Sequence, residues 1–193
     1  MDCKYVRESN CLCFTFHPLA SSLFYLTNTK NRLRIVEENL YTGLVKNELG
    51  VPLRQQSLNV DNYILNYYPE DKQVILTLSN HILVYSLHLK ALVFVGEASQ
   101  NKNPCFIEKA VQRAGTLYFS ATDHPTLLAI RLPDCLKAGT ITNYTKFKLP
   151  EGRPLALAVS RNKLVALCSD NSLRVWDADS GATLRGIAIE NVG

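Results

Sequence analysis

Short apolar runs, each closed by a polar turn, recur along the chain. The clearest stretch lies near the C-terminus: Leu164-Val165-Ala166-Leu167-Cys168-Ser169, then Asp170-Asn171-Ser172, then the alternating Leu173-Arg174-Val175-Trp176-Asp177. Ala178-Asp179-Ser180-Gly181 supplies another turn, and Ala182 to Ile189 offers a third strand. β-rich runs divided by Asp, Asn, Ser and Gly describe an antiparallel meander. Asp170 and Asn171 suit a tight turn, because their side chains bond nearby backbone and tolerate positive φ.

The same grammar recurs upstream. Leu23 to Thr27 is a strand, Lys30-Asn31 a turn, Leu33 to Glu37 a second strand and Tyr41-Thr42-Gly43 a further turn. Val74 to Leu78, Ser79-Asn80 and Ile82 to Tyr85 repeat it. So do Leu117 to Ala121, a break over Thr122-Asp123-His124-Pro125, and Leu127 to Ile130. Taking Val36, Tyr85 and Ile130 as equivalents of Trp176, the spacings are 49, 45 and 46 residues. A period in the mid-forties with four strands per unit is the signature of propeller blades. Inner strands are expected at Cys11 to His17 before Pro18, at Tyr63 to Pro69 and at Ala156 to Ser160; one helical turn is expected at Pro133 to Ala138. The pattern predicts an all-β chain of about four blades, near residues 10–50, 58–98, 104–150 and 153–190.

Asp170 to Asp177 followed by Ser180-Gly181 resembles the end of a WD repeat. The other units replace Trp-Asp by Val36-Glu37, Tyr85-Ser86 and Ile130-Arg131, and none has the Gly-His pair that often opens such repeats. The resemblance implies a WD-repeat β-propeller with Asp170, Trp176 and Asp177 as the structural motif residues. In that family a His, a strand Ser or Thr, the turn Asp and the Trp form a buried tetrad. Here Asp170 and Trp176 carry over, Cys168 sits near the hydroxyl position, and the His has no equivalent. The fourth unit is therefore expected to be held mainly by packing. About four blades make an incomplete ring, to be closed by further blades of the same protein, a second copy or a partner subunit. Trp-Asp-x-Arg, which recruits cullin-type ligases in some members, is not present, because Asp179 stands at its fourth position.

Composition fits this picture. The 193 residues are 47% hydrophobic and 20% charged, enough apolar content for a packed core and unlike a disordered chain. No apolar stretch approaches the roughly 20 residues of a membrane span, and Met1 to Tyr5 lacks a signal-peptide pattern. An intracellular protein, nuclear or cytoplasmic, is expected. The net charge of +4 is modest, but seven basic residues against two acidic ones (Glu151 and Asp170) leave +5 between Lys137 and Arg174. Within that stretch Lys146, Lys148, Arg153, Arg161 and Lys163 are candidates for a contact patch toward phosphate or an acidic partner.

Six cysteines (Cys3, Cys11, Cys13, Cys105, Cys135 and Cys168) at irregular spacing read as reduced thiols, with Cys11, Cys13 and Cys168 in apolar runs typical of burial. Cys11-x-Cys13 with His17 lacks the second pair a tetrahedral metal site needs. His81 and His88 are seven apart, and His124 lies in a turn. Glu37-Glu38 and Glu70-Asp71 are neighbours in polar turns, where nothing separates their pKa values for acid–base work. There is no glycine-rich phosphate loop and no nucleophile elbow. These features predict a protein without cofactor or catalytic activity, a scaffold that binds other proteins in an intracellular complex. A WD-repeat subunit contacting RNA or DNA through residues 137–174 is the alternative.

Overall fold

The computed structural model describes residues 11–17, 21–30, 32–52, 62–100, 102–122, 124–141, 143–149 and 152–189. Cys3, Pro18, Asn31, Asp123 and Glu151 lie outside them. Over the described residues the chain is all-β with one short helix. The first sheet holds β1 (Cys11–His17), β2 (Ser22–Thr29), β3 (Arg32–Asn39) and β4 (Val45–Gly50). The second holds β5 (Tyr63–Tyr68), β6 (Gln73–Leu78), β7 (His81–Ser86) and β8 (Ala91–Glu97). A two-stranded ribbon, β9 (Ser99–Gln100) and β10 (Asn103–Pro104), follows. The third sheet holds β11 (Ile107–Arg113), β12 (Thr116–Ala121), β13 (Thr126–Arg131) and β14 (Thr145–Lys148). The helix α1 (Leu132–Ala138) lies between β13 and β14. The fourth holds β15 (Pro154–Ser160), β16 (Lys163–Cys168), β17 (Ser172–Asp177) and β18 (Thr183–Ala188). In each four-stranded sheet the spatial order follows the chain order.

Two backbone hydrogen bonds recur once per sheet and give the repeat its register. The amides of Leu40, Leu87, Leu132 and Ala178 donate to the carbonyls of Ser21, Lys72, Gly115 and Asn162, closing the middle hairpin. The amides of Val51, Ala98, Leu149 and Ile189 donate to Leu33, Asn80, Pro125 and Asn171. The first set of donors and the second set of acceptors both recur at intervals of 47, 45 and 46 residues. Counting back two from each first-set donor gives Glu38, Tyr85, Ile130 and Trp176. The first equivalent is therefore Glu38, not Val36: β3 runs two residues longer than β7, β13 and β17, and sequence alone does not reveal the extra pair.

Turn chemistry explains where these strands stop. Asn39 Oδ1 accepts from the amides of Tyr41 and Thr42, Ser86 Oγ from Leu89, and Asp177 Oδ1 from Asp179 and Ser180. A short polar side chain at the strand end thus directs the backbone into the next turn. The equivalent third-sheet residue, Arg131, caps no amide, and the chain enters α1 with Pro133 in its first turn and Gly139 at φ 70 after it. Positive φ at Lys30, Ser79 and Asn171 marks the hairpin turns between the two middle strands of the first, second and fourth sheets.

Contacts divide the chain into two compact units: Met1–Leu78 with Leu83–Val93, and Ser79–Ile82 with Phe94–Gly193. The first has a core of Phe24, Leu26, Ile35, Leu76, Leu83 and Tyr85 with their neighbours. The second is built around Tyr118, Leu127, Phe147, Leu164, Cys168 and Trp176.

Candidate functional site

Trp176 lies on the inner face of the fourth sheet, fully buried, opposite Leu164 on β16. Its ring meets Phe147 of the third sheet edge-on at 6.5 Å, and Phe147 in turn meets Tyr118 at 5.9 Å. The indole Nε1 is buried without an acceptor. Trp176 therefore joins the third and fourth sheets by packing, and no indole hydrogen bond to Asp170 is made.

Asp170 organises the turn ahead of β17. Its Oδ1 accepts from the Ser172 amide at 3.2 Å and the Ser172 hydroxyl at 2.6 Å, and its Oδ2 from Arg174 Nη2 at 2.8 Å. The Ser172 hydroxyl, then Arg174, hold its carboxyl below the usual range. Gly152 packs against this carboxylate at φ +79; a Cβ there would stand 3.0 Å from the Asp170 Cγ. Asp177 does the same work at the other end of β17. Ser180 supplies backbone and hydroxyl donors at 2.8 Å each, which lower the Asp177 pKa.

The five basic candidates do not come together. Arg153 precedes β15 and pairs with Glu108 at 3.7 Å. Arg161 follows the same strand, so the two lie at opposite ends of seven residues, roughly 25 Å apart at the strand rise. Lys163 opens β16 beside the Arg161 turn. Lys146 and Lys148 sit on β14, the edge strand of the third sheet. All five are exposed, but they form no single stripe. Arg161 lines a cleft of about 660 Å³ in the second unit together with Arg113 and Arg131, and Lys146 lines a separate, smaller one of about 220 Å³ with Ser99, Gln100 and Tyr144. No sequence signal joined the three arginines, which come from separate strand ends.

The cysteines divide by face. Cys105, Cys135 and Cys168 are buried, as expected for Cys168; Cys13 is half-buried and Cys11 exposed. The expectation for Cys11 fails because β1 is bulged between Cys11 and Cys13, which puts Cys11 on the exposed face with Phe14 and Phe16. Cys105 Sγ lies 3.3 Å from His124 Nε2, and burial pushes this thiol up, so it stays protonated beside the imidazole. Among the described residues no group of three or more His, Cys, Asp or Glu is placed to hold a metal.

The outer face of the fourth sheet is open. Along β16 burial alternates, with Val165 and Leu167 half-exposed between the buried Leu164, Ala166 and Cys168. β18 is exposed throughout, and Leu155, Leu184, Ile187 and Ile189 are exposed apolar side chains on this sheet and its end.

No family model and no curated protein matches the sequence. Among solved structures, the hydrazine synthase of Kuenenia stuttgartiensis matches with a TM-score of 0.64 and 14% identity, over 96% of this chain and 51% of that one. The chain spans about half the length of that relative. At this identity the likeness is one of fold alone. The arrangement is also common: 955 chains of solved structures match it, so the fold by itself selects no activity. No helix among the described residues is long and apolar enough to cross a membrane.

Proposed function

We propose that the four meanders are consecutive blades of a WD-repeat-type β-propeller, and that the protein is a non-catalytic scaffold which binds other proteins within an intracellular complex. The open outer face of the fourth sheet carries this reading. Val165, Leu167, Leu173 and Val175 form its half-buried stripe, flanked by the exposed Leu184 and Ile187. A contiguous apolar surface of this kind marks a contact with another macromolecule. Its natural cover is a further four-stranded sheet, because the third sheet already uses that packing on the opposite face, through Phe147 and Trp176.

Sedimentation over a concentration series, with an exposed-surface dye, tests the proposal. The chain alone is expected to self-associate or bind dye, and Val165→Glu with Leu173→Glu to suppress both while leaving the circular dichroism unchanged. A monodisperse 21.6 kDa monomer that binds no dye would overturn it. Dispersal of the five basic residues argues against the nucleic-acid alternative, which requires oligonucleotide binding that weakens steeply with salt.

A further inference from the structure

We propose that the cleft in the second unit binds a small organic phosphate, its phosphate held by Arg113, Arg131 and Arg161. Strand register builds one wall. Arg113 pairs with Thr116, and Thr116 with Arg131, so the two arginines flank Thr116 in one row across β11, β12 and β13. Directly paired residues point to the same face, and the outer members of such a row lie roughly 10 Å apart. The next row on that face carries Tyr118. The Arg161 turn and Asp179 close the cleft from the fourth sheet.

Three arginines line the cleft against one carboxylate, that of Asp179. None of the three forms an ion pair among the described residues, and Asp179 pairs with none of them. Arg113 Nη1 is also buried with no hydrogen-bond partner. Arg131 and Arg161 are exposed, whereas Arg113 is half-buried, and a partly desolvated cation with an unpartnered donor is costly. An anion in the cleft supplies the missing charge, and phosphate matches the guanidinium fork with parallel hydrogen bonds. The cleft's size is that of small-molecule sites. Bare phosphate would leave most of it empty. Asp179 offers an acceptor for a ligand hydroxyl or amine, so the phosphate is expected on an organic body that carries one.

Calorimetric titration of the whole chain with ribose 5-phosphate, adenosine 5′-monophosphate, inorganic phosphate and adenosine tests this, with the fluorescence of Trp176, the single tryptophan, as a second readout. One-to-one binding of at least one organic phosphate is expected, tighter than inorganic phosphate and weakened by salt, with adenosine silent. Arg131→Gln and Arg161→Gln, both at exposed positions, should each weaken it roughly tenfold. Arg185→Gln on the exposed β18 should not. The assignment is overturned if no phosphate binds at millimolar concentration, if inorganic phosphate binds as tightly as the organic ones, or if the cleft variants bind like the wild type. Wild-type circular dichroism of the variants separates lost contacts from lost folding.

Discussion

The third and fourth sheets share strand order, hairpin closure and an inner face, yet they bury their middle strands differently. In the third sheet Leu117 to Ala121 and Leu127 to Ile130 are buried without interruption. In the fourth, Leu164 to Cys168 is equally apolar in sequence, but burial alternates along it. A continuous apolar run is the mark of a strand covered on both sides. The sequence of β16 therefore asks for a cover that its outer face lacks, and Leu173 and Val175 on β17 ask for the same. Composition states what a face requires; packing shows whether the requirement is met.

The largest expected effects lie where both sheets are closed. Phe119→Ala and Trp176→Ala each remove a fully buried ring and should cost about 3–5 kcal/mol in denaturant unfolding. If Trp176→Ala costs less than about 1 kcal/mol, the fourth sheet is not held by its inner face. Gly152→Ala places a Cβ against the Asp170 carboxylate at positive φ and should destabilise by more than about 1 kcal/mol. Val165→Ala on the open face should cost under about 1 kcal/mol in the chain alone, since little burial is lost. A loss as large as that of Phe119→Ala would mean that the outer face is already covered, and the contrast between the two sheets would collapse.

The smallest effect concerns the turn. Asp170→Ala should lower the melting temperature by a few degrees at neutral pH through the loss of its bonds to Ser172 and Arg174. The Asp170 pKa is depressed in the folded chain, so this contribution is present above the unfolded aspartate value of about 3.9 and is lost as pH falls through the folded value. Melting curves of wild type and variant should therefore converge in acid. A gap that widens on acidification would show that Asp170 does not act as an ionised acceptor. Thiol reactivity gives a parallel check on the faces. Cys11 should be alkylated in the native state, and Cys105, Cys135 and Cys168 only on unfolding, as mapped by mass spectrometry.

Much of the fold is legible in sequence because its signals are local. Alternation and turn residues place the strands. The Asp170-Asn171 turn and the Pro133 to Ala138 helix need only a few neighbouring residues each. By itself the sequence determined these elements, their period in the mid-forties and the burial of Trp176 at a strand end. Other properties were decided only by the tertiary structure, because they depend on what lies across a face. The two extra residues of β3, which move the first equivalent to Glu38, emerge from hydrogen bonds between strands. Cys11 is exposed although its run is apolar, and Arg153 and Arg161 stand at opposite ends of one strand. Arg113, Arg131 and Arg161 share a cleft because pairing register and sheet packing superpose positions up to 48 residues apart. A residue's chemistry is written in the chain, but its neighbours across a sheet are set by register and packing, which no local pattern encodes.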